Sequence, residues 1–326
     1  MIQQFRNLNF FNIFILFALM IVLRLGVLWH LPDILNSGFN VFFTRILVNV
    51  DFDQLSPPLL NVFFASIIVF IQALIFNKII NDYNILGKAS FLPALFYVIC
   101  ASVFSPFLIL SPPLIANFLI LFILNKVLRE HKSVDSISAM FDLGLIVAIG
   151  TIIYFPFILF LLVLWISLIL FKPFNWREWI SVITGYLTIV FFLGVYYYWN
   201  DKLLSFYEIW KPLSTKIPFY LKINVLDYIV LFPLSICFIL GLISLRVNFF
   251  KSFVLVRKSI QLLTLIFIVS ILSYYLKADF RINHFLLCVI PVSVVLAYYF
   301  MNAKKKWIYE SLCWMMIIFV VYFQFV

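Results

Sequence analysis

The stretch Ala139-Met-Phe-Asp-Leu-Gly-Leu-Ile-Val-Ala-Ile-Gly-Thr-Ile-Ile-Tyr-Phe-Pro-Phe-Ile-Leu-Phe-Leu-Leu-Val-Leu-Trp-Ile-Ser-Leu-Ile-Leu-Phe171 decides how this chain folds. Its only charge is Asp142 and its only proline is Pro156. A helix crossing a hydrocarbon core needs about 20 apolar residues. The stretch is therefore long for one crossing and short for two. As one kinked helix it would send the following chain to the opposite side of a membrane. As two short helices turning near Tyr154–Pro156 it would bring the chain back. The basic residues choose between these. With the turn, one side receives Arg6, Lys78, Lys88, Lys126, Arg129, Lys132, Lys172, Arg177, Arg246, Lys251, Arg257, Lys258, Lys304, Lys305 and Lys306. The other side receives Arg45, Lys202, Lys211, Lys216, Lys222, Lys277 and Arg281. Without the turn, every basic residue from Lys172 onward changes sides, and the asymmetry collapses. Lys and Arg concentrate in cytoplasmic loops, so the sequence predicts two helices, a cytoplasmic N-terminus and an external C-terminus.

The composition agrees. The chain has 326 residues, 66% of them apolar, 41 of them Phe, and only 11% charged. A soluble domain carries roughly 25% charged residues, so this chain cannot cover itself with polar surface and its solvent is lipid. The expected architecture is all-α: a single polytopic transmembrane domain over residues 1–326. About eleven spans are expected, near 10–30, 59–77, 91–107, 112–125, 139–153, 155–171, 179–199, 226–245, 259–276, 284–301 and 307–325. The first apolar run, Phe10 to Trp29, lacks a small-residue cleavage site and reads as a retained span. The expected location is a bacterial inner membrane. The net charge of +10 lies almost wholly on the inner face, where anionic head groups account for it without a nucleic-acid partner.

Two external loops are long. In the first, residues 31–58, the segment Phe39 to Val50 is apolar but too short to span and reads as an interfacial helix. The second, residues 200–225, mixes Tyr207, Trp210 and Tyr220 with Lys211, Lys216 and Lys222, a blend suited to the head-group region.

Few residues offer chemistry. Asp51 and Asp53 stand at i and i+2 in the first loop. Two carboxylates so spaced suit a divalent cation held by hard oxygen ligands, or a general base acting on a hydroxyl. They also serve simply as solvated loop acids. Arg24 lies towards the outer end of the first span, where a charge either snorkels to the head groups or meets a partner such as an external Asp or a lipid phosphate. Asp279, Arg281, Asn283 and His284 open a late span containing Pro291. A guanidinium there suits bidentate phosphate binding, with His284 as a second donor, or the group is an ordinary interfacial cap. Asn61, Gln72, Asn77, Asn117 and Asn125 fall in or at the ends of spans and read as interhelical hydrogen-bonding residues. Ser105-Pro106 and Ser111-Pro112-Pro113 read as turn formers. Cys100, Cys237, Cys288 and Cys313 form no CxxC pair and read as small apolar side chains. His30, His131 and His284 form no metal motif.

Taken together, these features resemble the GT-C superfold of multi-spanning glycosyltransferases. The likeness rests on the acidic first loop, the segment Ala139 to Pro156, Lys172-Pro-Phe-Asn-Trp-Arg-Glu-Trp179, and the Arg281 to Pro291 segment. The resemblance implies a polyprenyl-phosphate-linked sugar donor, with Asp51 or Asp53 as the base. Arg24, Arg281, His284 and Lys211 would then bind the lipid phosphate. The chain also resembles a family of bacterial inner-membrane proteins, some of which carry the name beta-carotene monooxygenase. That chemistry does not fit, because such an iron site takes four histidines and this chain has three. Two other functions compete: a non-catalytic subunit or scaffold among other inner-membrane proteins, and a transporter.

Overall fold

The computed structural model describes residues 1–29, 31, 38–46, 57–130, 136–210, 229–276 and 282–325. Among them there are helices and no strands. In chain order the helices are α1 (Ile2–Phe5), α2 (Phe11–Val22), α3 (Leu25–Trp29), α4 (Phe39–Arg45), α5 (Pro58–Asp82), α6 (Leu92–Cys100), α7 (Pro112–Glu130) and α8 (Ile137–Ile153). They continue with α9 (Phe160–Phe171), α10 (Trp176–Trp199), α11 (Leu203–Glu208), α12 (Leu231–Asn248), α13 (Val254–Ser273), α14 (Val289–Asn302) and α15 (Lys306–Phe325).

Proline sets several boundaries. Pro58, Pro93, Pro106 and Pro156 each stand in the first turn of a helix or 3-10 turn, where the missing N–H is not needed. Among the described residues, seven helical segments are long and apolar enough to cross a membrane: 58–82, 112–130, 176–199, 231–251, 254–276, 282–302 and 306–325. Shorter apolar helices cover 11–22, 137–153 and 155–171. The exterior carries rows of exposed Phe, Ile and Leu, among them Phe63, Phe64, Ile67 and Ile71 on α5 and Leu187, Phe191 and Phe192 on α10. Such a surface suits lipid and would associate at once in water.

The stretch that decided the fold turns as expected. α8 ends at Ile153, a 3-10 turn runs from Phe155 to Leu159, and α9 leads away from it. The packing shows where α9 goes. Gly144 lies against Val182 and Tyr186, Gly185 against Phe141 and Leu145, and Ser181 Oγ donates to the Ile137 carbonyl. Sequence position rises together on both helices, so α8 and α10 run parallel and α9 returns between them. The contact is a backbone-on-backbone crossing. A Cβ on Gly144 would sit 2.2 Å from the Val182 carbonyl oxygen, and one on Gly185 would sit 2.2 Å from that of Phe141. Gly144 with Ala148 and Ser181 with Gly185 give each helix a small-xxx-small face, the arrangement that lets helices approach closely where lipid removes the hydrophobic drive to pack.

Several of the described loop cations lie at one end, here called the basic end. There Lys126 pairs with Asp142 at 2.6 Å, Lys172 bonds Ser136 at 2.6 Å, and Lys258 lies over the Phe171 ring. Arg6 donates to the carbonyls of Phe300 and Ala303, closing the C-terminal end of α14, where a cation is favoured. Glu310 accepts from the Met1 amine and from the N–H groups of Ile2 and Gln3. Through these contacts α1, with Ile2 and Phe5 fully buried, plugs the basic end of the bundle.

Candidate functional site

At the centre lies α6, and every one of its nine residues is buried. At 1.5 Å per residue it is about 14 Å long, half of a hydrocarbon core. It stops at Cys100, and the chain continues through Ala101 and Ser102 to a 3-10 turn at Ser105–Leu108 before α7 begins at Pro112. Backbone that leaves the helix inside an apolar bundle must find hydrogen bonds within the protein.

α5 supplies them. Asn81 bonds both the N–H and the C=O of Ser90, and Asn77 Oδ1 accepts from Ala94 N in the first turn of α6. Gln72 Nε2 donates to the Leu114 carbonyl while its Oε1 accepts from Tyr97 OH at 2.9 Å. Asn61 Oδ1 accepts from Leu110 N at 2.8 Å, beyond the break. From α7, Asn117 donates to Leu286. The amides marked in the sequence as interhelical hydrogen-bonding residues do act so, and Asn125 joins them by accepting from Tyr83 OH.

The break leaves polar atoms over. Arg24 stands at the junction of α2 and α3 and is 1% exposed. It does not snorkel: its Nη1 donates to the Leu108 carbonyl at 2.9 Å, inside the bundle. Its Nε and Nη2 have no hydrogen-bond partner among the described residues. Around it, Asn61 Nδ2, Ser102 Oγ, Ser111 Oγ and Gln324 Oε1 are also buried without partners. These groups share one neighbourhood. Gln324 Nε2 reaches the carbonyls of Leu23 and Ser102, Asn61 holds Leu110 next to Ser111, and Val27, Val62 and Leu108 pack together beneath. A buried cation on an insertion scale costs about 2.5–3.5 kcal/mol at a helix centre, and a buried donor without an acceptor costs about 1–3 kcal/mol more. Arg24, with Asn61 Nδ2, Ser102 Oγ and Ser111 Oγ as unused donors among the described residues, makes a setting suited to an anion, while Gln324 Oε1 is an unused acceptor at its edge.

His284 is placed otherwise. It is 2% exposed, in a 3-10 stretch at Ile282–Cys288 that leads into α14. Nε2 lies 2.7 Å from the Ser270 carbonyl, which can only accept, so Nε2 carries the proton and Nδ1 accepts from Tyr154 OH at 2.7 Å. Ser273 Oγ lies 3.2 Å from Nε2. The ring thus ties the α8–α9 turn to α13, with its two nitrogens on Tyr154 and Ser270. Asp51, Asp53, Lys211 and Arg281 lie outside the described residues. Among the described residues, no three His, Cys, Asp or Glu side chains gather to hold a metal ion; a divalent cation at Asp51 and Asp53 is an expectation outside them.

Sequence reasoning missed Ser102 and gave Ser111, as a turn former, and Asn61 only structural parts. The available signal was the pair of Ser-Pro steps, Ser105-Pro106 and Ser111-Pro112, which mark a helix interruption within an apolar region.

The model of a family of unknown function, DUF6427, matches residues 34–326, and the chain belongs to that family. No curated protein and no solved structure matches it.

Proposed function

We propose that this DUF6427 protein binds the phosphate of a membrane lipid at the end of the bundle away from the basic rim, and that it transfers a sugar from a polyprenyl-phosphate donor there. The observation that carries the reading is Arg24, a fully buried cation with two unused nitrogens at the break in α6. The reading takes the chain as GT-C-like, with about eleven spans and the cytoplasmic face at the basic end, in a bacterial inner membrane; its support is the all-helical bundle, in which seven helices among the described residues are long and apolar enough to cross a membrane. In the reaction, the acceptor hydroxyl gives its proton to Asp51 or Asp53 and its oxygen bonds the sugar's anomeric carbon. The bond from that carbon to the phosphate oxygen breaks, and the lipid phosphate leaves with the electron pair. Arg24 stabilises the charge that develops on it, with Arg281 and Lys211 in support.

The test is transfer from a polyprenyl-phosphate-hexose into a membrane fraction, comparing the native protein with Arg24→Gln and Asp53→Asn. Loss of transfer in both, with Arg24→Gln also losing lipid binding, is the expected result. Full transfer by Asp53→Asn and Asp51→Asn would remove the enzyme reading. Unaltered lipid binding by Arg24→Gln would remove the site. A transport reading draws on the same interrupted helix, since broken helices often line substrate paths. It predicts flux across proteoliposomes with no change in the lipid's chemistry.

A further inference from the structure

α15 is apolar from Leu312 to Phe323 and closes on its one amide, Gln324. That residue follows Tyr309, Cys313, Ile317 and Val320 at helical spacing, on the face turned into the bundle. Its orientation is fixed. Nε2 donates to the Leu23 carbonyl at 2.6 Å and to the Ser102 carbonyl at 3.4 Å. Both oxygens can only accept, so exchanging the amide's N and O would set oxygen against oxygen. Oε1 is left over, buried and without a hydrogen-bond partner among the described residues. Gly26 makes the approach possible: a Cβ there would collide with the Gln324 Cβ and lie 2.9 Å from its backbone oxygen. Leu23 precedes Arg24 in the chain, so the unused acceptor stands beside the unused cation.

The two sets of unused atoms ask for different things. Nε–H and an Nη2–H of Arg24 lie on one edge of a planar guanidinium and form a fork for two oxygens of one anion. Gln324 Oε1 can only accept. A ligand that meets both carries anionic oxygens and, next to them, a donor. Resting on the phosphate-binding reading of Arg24, we infer that Gln324 is a specificity residue: the site takes a lipid phosphodiester whose esterified alcohol carries a free hydroxyl. The phosphate oxygens lie on the Arg24 fork and the hydroxyl donates to Gln324 Oε1. Sugar and glycerol head groups share this chemistry. A diester without a hydroxyl leaves Oε1 buried and unpaired, which is how a polar site rejects the wrong ligand.

The experiment is native mass spectrometry of the full chain with two equimolar lipid pairs, each matched in charge and chain. One pair is a polyprenyl phosphoryl hexose against the polyprenyl methyl phosphate. The other is phosphatidylglycerol against phosphatidylmethanol. The native protein is expected to retain the hydroxyl-bearing member about tenfold over its methyl partner in at least one pair, the order of one hydrogen bond to a buried acceptor. A preference in the first pair alone identifies a sugar head group and in the second alone a glycerol one; either sustains the inference. Gln324→Met should keep the methyl member and bring the ratio to about one. Gly26→Ala, which displaces the amide and keeps every charge, should lower the ratio too, and it carries the test where melting curves show that Gln324→Met does not fold. A native ratio of about one in both pairs, or an unchanged ratio in the variant that carries the test, overturns the inference. Arg24→Gln separates this from the phosphate reading: loss of all four lipids leaves that reading standing whatever Gln324 does, and their retention removes both.

Discussion

Arg24 donates from Nη1 to the carbonyl of Leu108 across 2.9 Å, which joins a cation in the first apolar run to the turn that follows the broken helix α6. The two residues are 84 positions apart. Their contact places the charge inside the protein and leaves Nε and Nη2 without a hydrogen-bond partner among the described residues.

Removing that charge should stabilise the empty protein. A buried cation with no acid beside it among the described residues carries a desolvation penalty of several kcal/mol, so Arg24→Met is expected to melt several degrees higher than the native chain in lipid-free detergent. Added polyprenyl phosphate should raise the melting temperature of the native protein and leave Arg24→Met unmoved. A lower melting point for Arg24→Met without lipid would mean that the guanidinium is a structural group.

The Gln72–Tyr97 pair should behave as a unit. Gln72→Leu strands the Tyr97 hydroxyl and the Leu114 carbonyl, at a cost of about 1–3 kcal/mol. Tyr97→Phe alone should cost about 1 kcal/mol. The double variant should cost less than the sum, because the lost partners are shared. Additive losses in a denaturation series would show that the two residues are not coupled.

Glycine at the α8–α10 crossing should be irreplaceable, while glycine elsewhere on α10 should not be. Gly185→Ala drives a methyl group to 2.2 Å from the Phe141 carbonyl oxygen, whereas a Cβ on Gly194 meets nothing nearer than Phe206 at 3.7 Å. Overpacking of this kind costs about 1–3 kcal/mol. Thermal melting should therefore fall sharply for Gly185→Ala and stay near native for Gly194→Ala. Equal behaviour of the two would contradict the close parallel packing.

His284 should report on stability and not on lipid. His284→Phe removes the bonds to Tyr154 and Ser270 and is expected to destabilise the bundle by about 2–4 kcal/mol for two buried hydrogen bonds. At a temperature where the variant is folded, its affinity for polyprenyl phosphate should equal the native value. A specific loss of lipid affinity with unchanged melting would return His284 to the phosphate-binding set.

Much of the architecture was legible along the chain. Apolar runs and Ser-Pro, Pro-Pro and Tyr-Phe-Pro steps located the helical stretches, because helix length and proline geometry are local properties. The turn at Tyr154–Pro156 followed from the distribution of Lys and Arg, and the Asn and Gln residues inside apolar runs announced hydrogen bonds between helices. The tertiary structure alone decided which way Arg24 faces, that α6 is enclosed on all sides, that Ser102 and Ser111 share its unfinished end, and that His284 is spoken for by Tyr154 and Ser270. The reason is that lipid and protein interior are equally apolar. In a soluble protein the polar face of a helix tells where the core lies; here Phe63, which faces out, and Phe76, which is buried, look alike in the sequence. Only the packing of one helix on another separates them.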